Sequence, residues 1–328
     1  MTMRDGIVEQ AGRFKKAIAS KDTSSYKVVK KNQLVVGFPI DEGVIYVQNH
    51  DAPGIMSPAY NVWNIDLGRV DPSYLEFALH SPRSMAYYAD KMRGTTARRR
   101  TLTADGLREM KILLPSADGQ IRVVNTLDEV RSLIEGANGQ IAMLDTLVKS
   151  RFVEMFGDPI SNSKGLETQP GSALFKIVNG KTKPMDERYE TGFPAYGGNG
   201  VSWYSQDSLV DFPTIVVGRV GRHCGNVHLV NDPCWVTDNA MYIKRFHSNE
   251  LDLIYLDELM RVVGFNRYAD RGDLWKITQQ PFMEFNYPMP PLAQQQELAA
   301  FVRQVDKSRF NLLKAYGSII ALFRVLFP

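Results

Sequence analysis

The chain has 328 residues, 44% of them hydrophobic, and a formal net charge of +3 from 39 Lys and Arg against 36 Asp and Glu. That is enough apolar material for two or three packed domains and excludes a disordered tail, while a charge so nearly balanced does not mark a nucleic-acid binder by itself. No apolar run reaches the ~18 residues of a membrane span, and the opening MTMRDGIVEQAGRFKK has no apolar signal core, so no membrane is implied and a cytoplasmic location is expected.

Residues 1–112 begin with charged, irregular sequence. Strand-like runs follow at Leu34-Val35-Val36 and Val44-Ile45-Tyr46-Val47, separated by Gly37, Pro39 and Gly43 as turn punctuation, and a further run is Ala59-Tyr60-Asn61-Val62-Trp63. A helix is predicted from Asp71, which can cap it, with Pro72 suited to the first turn and Leu75, Ala78 and Leu79 on its apolar face. Residues 113–160 carry apolar side chains at Ile121, Val124, Leu127, Val130, Ile134, Ile141, Leu144, Val148, Phe152 and Met155, one stripe on a long helix. Forty helical residues rise about 60 Å, more than a small domain can enclose, so the stripe needs a partner helix. Residues 288–328 supply one, with a heptad seam at Leu298, Val302, Val305, Leu312, Tyr316, Ile319, Phe323 and Leu326.

Between the two helices, residues 161–287 repeat the order of the first segment. Gly37 and Gly218 stand 181 residues apart, as do Tyr74 and Tyr255; Leu102 and Ile277, Glu109 and Glu284, and Pro115 and Pro290 stand 175 apart. Constant offsets over so long a period mean two whole domains, each followed by its own helix, in an α+β chain of two similar mixed α/β domains. Only 36 residues precede Gly37, whereas 61 separate Gly157 from Gly218, so the first domain is expected to be N-terminally short by about 25 residues.

Residues that could carry catalysis are few. Asp71-Pro72-Ser73-Tyr74 resembles the Asp/Asn-Pro-Pro-Tyr loop of amino-methyltransferases but has Ser at its third position, and no Gly-rich methyl-donor loop precedes it. Gly197-Gly198-Asn199-Gly200 has the spacing of neither a dinucleotide fingerprint nor a P-loop and reads as a turn between strands. Cys224 and Cys234 lack companion ligands for zinc and read as reduced thiols; His223 and His228 read as surface or hairpin residues. Asp257-Glu258 falls on an amphipathic helix with no lysine nearby in sequence to complete a nuclease centre. No catalytic or metal-binding residue is expected.

Arg and Lys, in contrast, cluster beside turns. The first domain has Lys91, Arg93, Gly94, Thr95, Thr96, Arg98, Arg99 and Arg100; the second has Lys181 and Lys183, then Arg219, Arg222 and His223, then Arg267, Arg271 and Lys276. Guanidinium forks bind phosphate or guanine edges, and small residues let the backbone approach phosphate. A charge run alone is usually a solvated face. Recurrence in both copies (Gly94 and Gly272 are 178 apart) favours DNA contact by Lys91, Arg93, Thr95, Arg98, Arg99, Arg100, Lys181, Lys183, Arg219, Arg222, Arg267, Arg271 and Lys276.

Gly94-Thr95-Thr96, Leu102-Thr103, Leu107, Ile112 and Leu114-Pro115 followed by Gln120, then a long helix ending Phe152-Val153-Glu154-Met155-Phe156-Gly157-Asp158-Pro159, resemble the end of a target-recognition domain and the central conserved region of type I restriction-modification specificity subunits. The second copy, Pro288-Met289-Pro290-Pro291-Leu292-Ala293-Gln294-Gln295-Gln296-Glu297-Leu298 with Asp306 downstream, is the more specific match. The resemblance implies a first target-recognition domain at 1–112, a central conserved helix at 113–160, a second target-recognition domain at 161–287 and a C-terminal conserved helix at 288–328, the two helices pairing as an antiparallel coiled coil. It also implies a non-catalytic subunit that recognises a bipartite double-stranded DNA site and docks modification (methyltransferase) and restriction (translocase/endonuclease) subunits. S-adenosylmethionine, ATP and Mg would then sit on those partners, with no cofactor bound here. A self-contained nuclease or methyltransferase of related architecture, and a coiled-coil scaffold with no DNA role, are the alternatives.

Overall fold

The computed structural model describes residues 1–2, 6–9, 22–94, 96 and 100–326, with side chains as far as residue 317. These fall into two units, Met1–Leu133 and Ile134–Pro328.

In unit 1 a β-branched strand, β2 (Gln33–Val36), is the middle of a three-stranded antiparallel sheet, paired with β3 (Ile45–Val47) on one side and β5 (Asn61–Asn64) on the other. A two-stranded antiparallel ribbon joins β1 (Lys27–Val29) to β4 (Gly54–Met56). Helix α1 (Pro72–Leu79) starts as expected: the Asp71 carboxylate accepts the Tyr74 N–H at 2.9 Å and Pro72 fills the first turn. Helix α2 (Pro82–Lys91) is capped by Ser81 and the short α3 (Ala104–Arg108) by Thr103. Leu34, Val36, Ile40, Ile45, Val47, Leu79, Tyr88 and Leu102 form the core between sheet and helices.

Helix α4 (Ala117–Phe156) is 40 residues long, beginning in unit 1 and ending in unit 2. Its stripe is not uniformly covered: Ile121 is exposed, Ile134, Ile141 and Leu144 are half-buried, and Val148, Phe152 and Phe156 are buried.

Unit 2 begins with the ribbon of β6 (Thr168–Pro170) and the distant β14 (Asn286–Pro288), and the one-turn α5 (Gly171–Leu174). Its main sheet has the order β11-β10-β13-β7, from β7 (Phe175–Asn179), β10 (Thr214–Gly218), β11 (Val227–Val230) and β13 (Ala240–Phe246). All neighbours are antiparallel, and central β10 is buried at every residue. A second sheet pairs β8 (Phe193–Gly197) with β9 (Gly200–Ser205), Gly198-Asn199 making the expected turn, and sets β12 (Trp235–Val236) parallel to β8. Helix α6 (Leu253–Val263), capped by Asp252, the short α7 (Gln280–Glu284) and α8 (Leu292–Leu326) complete it.

One core holds Val148, Phe152 and Phe156 of α4, Tyr255, Leu256 and Leu259 of α6, and Leu298, Val302 and Val305 of α8. Phe152 stacks on Tyr255 with centroids 5.8 Å apart. The ion pair Arg151–Glu297 (2.8 Å) and the pair Arg309–Asp145 show that numbering rises along α4 as it falls along α8, so within unit 2 the helices pack antiparallel. Leu312 and Tyr316 are half-buried, while the side chains of Ile319, Phe323 and Leu326 lie outside the described residues.

The duplication is structural. Strands β2, β3 and β5 and helix α1 correspond to β10, β11, β13 and α6 in order and pairing. In unit 1 Gln120 Oε1 accepts the Asp71 N–H at 2.7 Å, its amide nitrogen donates to the carbonyls of Arg69 and Pro115, and the Tyr74 hydroxyl donates to Leu113. In unit 2 Gln295 accepts from Asp252 at 2.9 Å and donates to Glu250 and Pro290, and Tyr255 donates to Pro288. Strand β7 is the difference: it covers the outer edge of β13, whereas β5 has no such partner among the described residues.

Candidate nucleic-acid interface

Strand β10 ends at Gly218, where three loops converge. A Cβ there would lie 2.4 Å from the His223 carbonyl and 2.8 Å from that of Gly198, so only glycine lets the β8–β9 turn and the turn after β10 close on each other. Arg219 follows. Its N–H donates to the Asn239 carbonyl at 2.8 Å and its Nε to the Asp238 carbonyl at 3.0 Å, while its own carbonyl accepts from Ile277 at 2.9 Å. The Gly221 N–H donates to Trp275 at 2.8 Å, and Asp270 and Lys276 exchange two backbone bonds that close the 270–276 loop. A cavity of about 350 Å³ opens among these loops, lined among others by Arg188, Asn199, Trp203, Arg222, His223 and Asn239.

Lys183, Arg188 and Arg222 line it, and the cations of unit 2 differ in how far they are already engaged. Arg222 and His223 are exposed, and among the described residues Arg222 makes no ion pair. Arg271 lies over the Trp275 ring at 4.9 Å, Arg188 over Trp203 at 5.2 Å, and Lys276 faces Asp270 at 3.6 Å. Lys181 and Arg267 are exposed, Arg267 on the 3-10 turn Phe265–Tyr268. Lys183 is different. It is 7% exposed, pairs with Asp207 at 3.0 Å and Glu187 at 3.4 Å, donates to Ser205 and sits over Trp235. The Asp207 carboxylate beside it holds its ammonium above the usual lysine value.

In unit 1, Arg93 and Thr101 exchange two backbone bonds (2.9 and 3.2 Å), and the Ile40 N–H donates to the Arg100 carbonyl at 3.0 Å, the counterpart of Gly221 and Trp275. The loop after α2 thus corresponds to the 270–276 loop. Arg93 is exposed, and Lys91 is exposed with Asp90 3.1 Å away. Arg100 is half-buried, its guanidinium bonded to Asp41 and Glu42. Thr95, Arg98 and Arg99 lie outside the described residues.

The unit 2 loops therefore present guanidinium and amide groups around a framework fixed by backbone bonds, the chemistry that holds phosphates and reads base edges, and in unit 1 the corresponding framework carries the exposed Arg93. Charge clustering found the cations; Arg188 and Trp203 were missed because their stacking joins two segments with no common pattern. Of the two histidines read as surface or hairpin residues, His223 is exposed in the turn after β10 and His228 is half-buried on β11, the second strand of the β10–β11 hairpin. Both cysteines are free and buried, and burial pushes the Cys234 thiol up to about 11. Among the described residues no group of His, Cys, Asp and Glu is placed to hold a metal ion, and no helix is long and apolar enough to cross a membrane.

No family model matches the sequence. A specificity subunit of the type I restriction enzyme EcoprrI from Escherichia coli is 23% identical over 114 residues, a match spanning 35% of this chain and 28% of that protein. The solved type I restriction-modification S subunit of M. genitalium superposes with a TM-score of 0.55 at 17% identity, covering 92% of this chain and 84% of that one. A chain from a structure of complex assembly and conformational transition of the type I R-M system gives 0.52 at 18% identity, covering 93% and 82%. The fold is that of type I restriction-modification specificity subunits.

Proposed function

We propose that this protein is the DNA sequence-specificity subunit of a type I restriction-modification complex. The observation that carries the reading is the repeated loop framework: the closing bonds at Arg93–Thr101 and Asp270–Lys276, and the bonds Ile40–Arg100 and Gly221–Trp275, recur at equivalent places in two similar domains. Two similar but non-identical readers fit a bipartite duplex target whose half-sites differ in sequence. The likeness to specificity subunits supports a non-catalytic role. Methyl transfer from S-adenosylmethionine then belongs to modification subunits, and ATP- and Mg-dependent translocation and cleavage to a restriction subunit, in the cytoplasm. The test is methylome sequencing of cells carrying this chain with its neighbouring methyltransferase gene. A single bipartite methylated motif that disappears when this chain is deleted is the expected result; methylation without the chain, or by the chain alone, overturns it.

A further inference from the structure

The two copies solve the same packing problem differently beside α1 and α6. In unit 1 the Glu76 carboxylate accepts the Val47 N–H at 2.7 Å, and the Arg131 guanidinium of α4 lies over the Phe77 ring at 4.9 Å. At the 181- and 175-residue offsets of the repeat, Glu76, Phe77 and Arg131 become Asp257, Glu258 and Asp306 in unit 2, and the strand register sets His228 opposite Val216 as Tyr46 is set opposite Val35. An aromatic face and its resident cation are replaced by two carboxylates.

A cleft of about 560 Å³ lies there, bounded by α6, α8, the end of α4 and the edge of β11. Its acceptors are not all met. Asp257 is 4% exposed; its Oδ2 accepts from Arg261 Nε at 2.8 Å, but its buried Oδ1 has no partner, nor has the buried His228 Nε2. Glu258 makes no hydrogen bond or ion pair among the described residues, and Arg309 is bonded to Asp145 and Asp306. A buried carboxylate oxygen without a donor carries a full desolvation penalty. These side chains are not placed to hold a metal ion. The charges of Arg261 and Arg309 act on the Glu258 carboxylate, but neither guanidinium bonds it; a further guanidinium, with five N–H groups in a planar fork and no acceptor, suits the open acceptors and is the group unit 1 itself uses at this position.

We propose that the cleft binds a guanidinium-bearing guest, sharing its N–H donors between Asp257 Oδ1 and the Glu258 carboxylate. The guanidinium can come from a small guanidino compound or from an arginine side chain on a protein segment. The site is independent of DNA recognition and does not rest on the function proposed above.

Isothermal titration calorimetry on the full chain tests it, with agmatine, a blocked single-arginine peptide, and tetramethylammonium as a cation without N–H donors. Saturable binding of agmatine or of the peptide, with none for tetramethylammonium, is expected; agmatine alone points to a small compound, and the peptide to a protein segment. Glu258→Gln should weaken binding about tenfold or more. Asp306→Arg, which installs the unit 1 cation, should abolish it. Binding should strengthen from pH 6 to pH 8. Burial, with Asp257 adjacent, raises the Glu258 carboxyl to about 7, and only its ionised form attracts the guest. The other groups facing the cleft are Asp257 and Arg261 on α6, Asp145 and Lys149 on α4, Asp306 and Arg309 on α8, and His228 and Tyr196 on the sheets. Burial lowers His228 and raises Tyr196, in each case favouring the neutral form. Equal binding of tetramethylammonium, no heat with either guanidinium probe, or affinity unchanged in both variants would overturn the proposal.

Discussion

Gln120 accepts the backbone N–H of Asp71, the residue that caps α1, and Gln295 does the same for Asp252, the cap of α6. Each glutamine sits in the first turn of its long helix, is buried (2% and 0% exposed) and has both amide functions used, so a single side chain sets how helix and recognition domain meet. Replacing Gln295 by Leu keeps the bulk but strands the Asp252 N–H and the carbonyls of Glu250 and Pro290. A loss of about 2–4 kcal/mol in urea unfolding is expected; wild-type stability in Gln295→Leu would show the clamp to be incidental.

Gly136 and Gly139 occupy the interior of α4, and a Cβ on either would meet no atom within 4 Å. Alanine at each should therefore stabilise the helix by about 0.5–1 kcal/mol, chiefly by restricting the unfolded chain. Chemical denaturation of Gly136→Ala and Gly139→Ala checks it, and the methylated motif should be unchanged.

Val302 is 4% exposed in the core with Phe152, whereas Leu312, three turns on, is half-buried. Val302→Glu should cost several kcal/mol and lower the melting temperature well below that of Leu312→Glu, because the second carboxylate can reach water. Equal effects would mean that α8 is held equally tightly at both places.

Arg222 and Lys183 are neighbours in the candidate interface with opposite expectations. Removing the unpaired Arg222 should weaken DNA binding by the assembled complex and reduce the salt slope by about one. Lys183→Ala leaves Asp207 and Glu187 without their cation, and should lower thermal stability while leaving the salt slope alone. Fluorescence anisotropy across a salt series separates the two.

Glu258 predicts an unusual pH dependence. Its folded carboxyl is raised from 4.5 to about 7, so between those values the folded chain holds a proton that the unfolded chain has lost. Its contribution therefore declines as pH rises from about 4.5 to 7, and the destabilisation is complete above 7. Glu258→Gln should be nearly neutral at pH 5 and stabilising by up to about 3 kcal/mol at pH 8, measured by urea titration at the two pH values.

Local pattern carried much of this architecture. The heptad spacing of Val302 and Val305 and the Asp71-Pro72 cap are features whose physics is written within a few residues, and constant offsets exposed the duplication without any model of the fold. What sequence could not show depends on distant partners. Lys183 looks like any exposed lysine until β9 brings Ser205 and the loop after it brings Asp207. Asp257 looks like the polar face of a helix, yet it is buried where α6 meets α8. Charge clustering counts cations without showing which are already paired, so Arg222 and Lys183 are indistinguishable before folding.

The large core joins Val148 to Val305, while the core of unit 1 runs only from Leu34 to Leu102 and its clamp closes at Gln120. During synthesis the first unit has its core and its clamp once the start of α4 leaves the ribosome. The second must wait for α8, the last element to join its core. Until then the aromatic surface of Phe152, Phe156 and Tyr255 is incompletely covered, making unit 2 the half of the nascent chain on which chaperones should act.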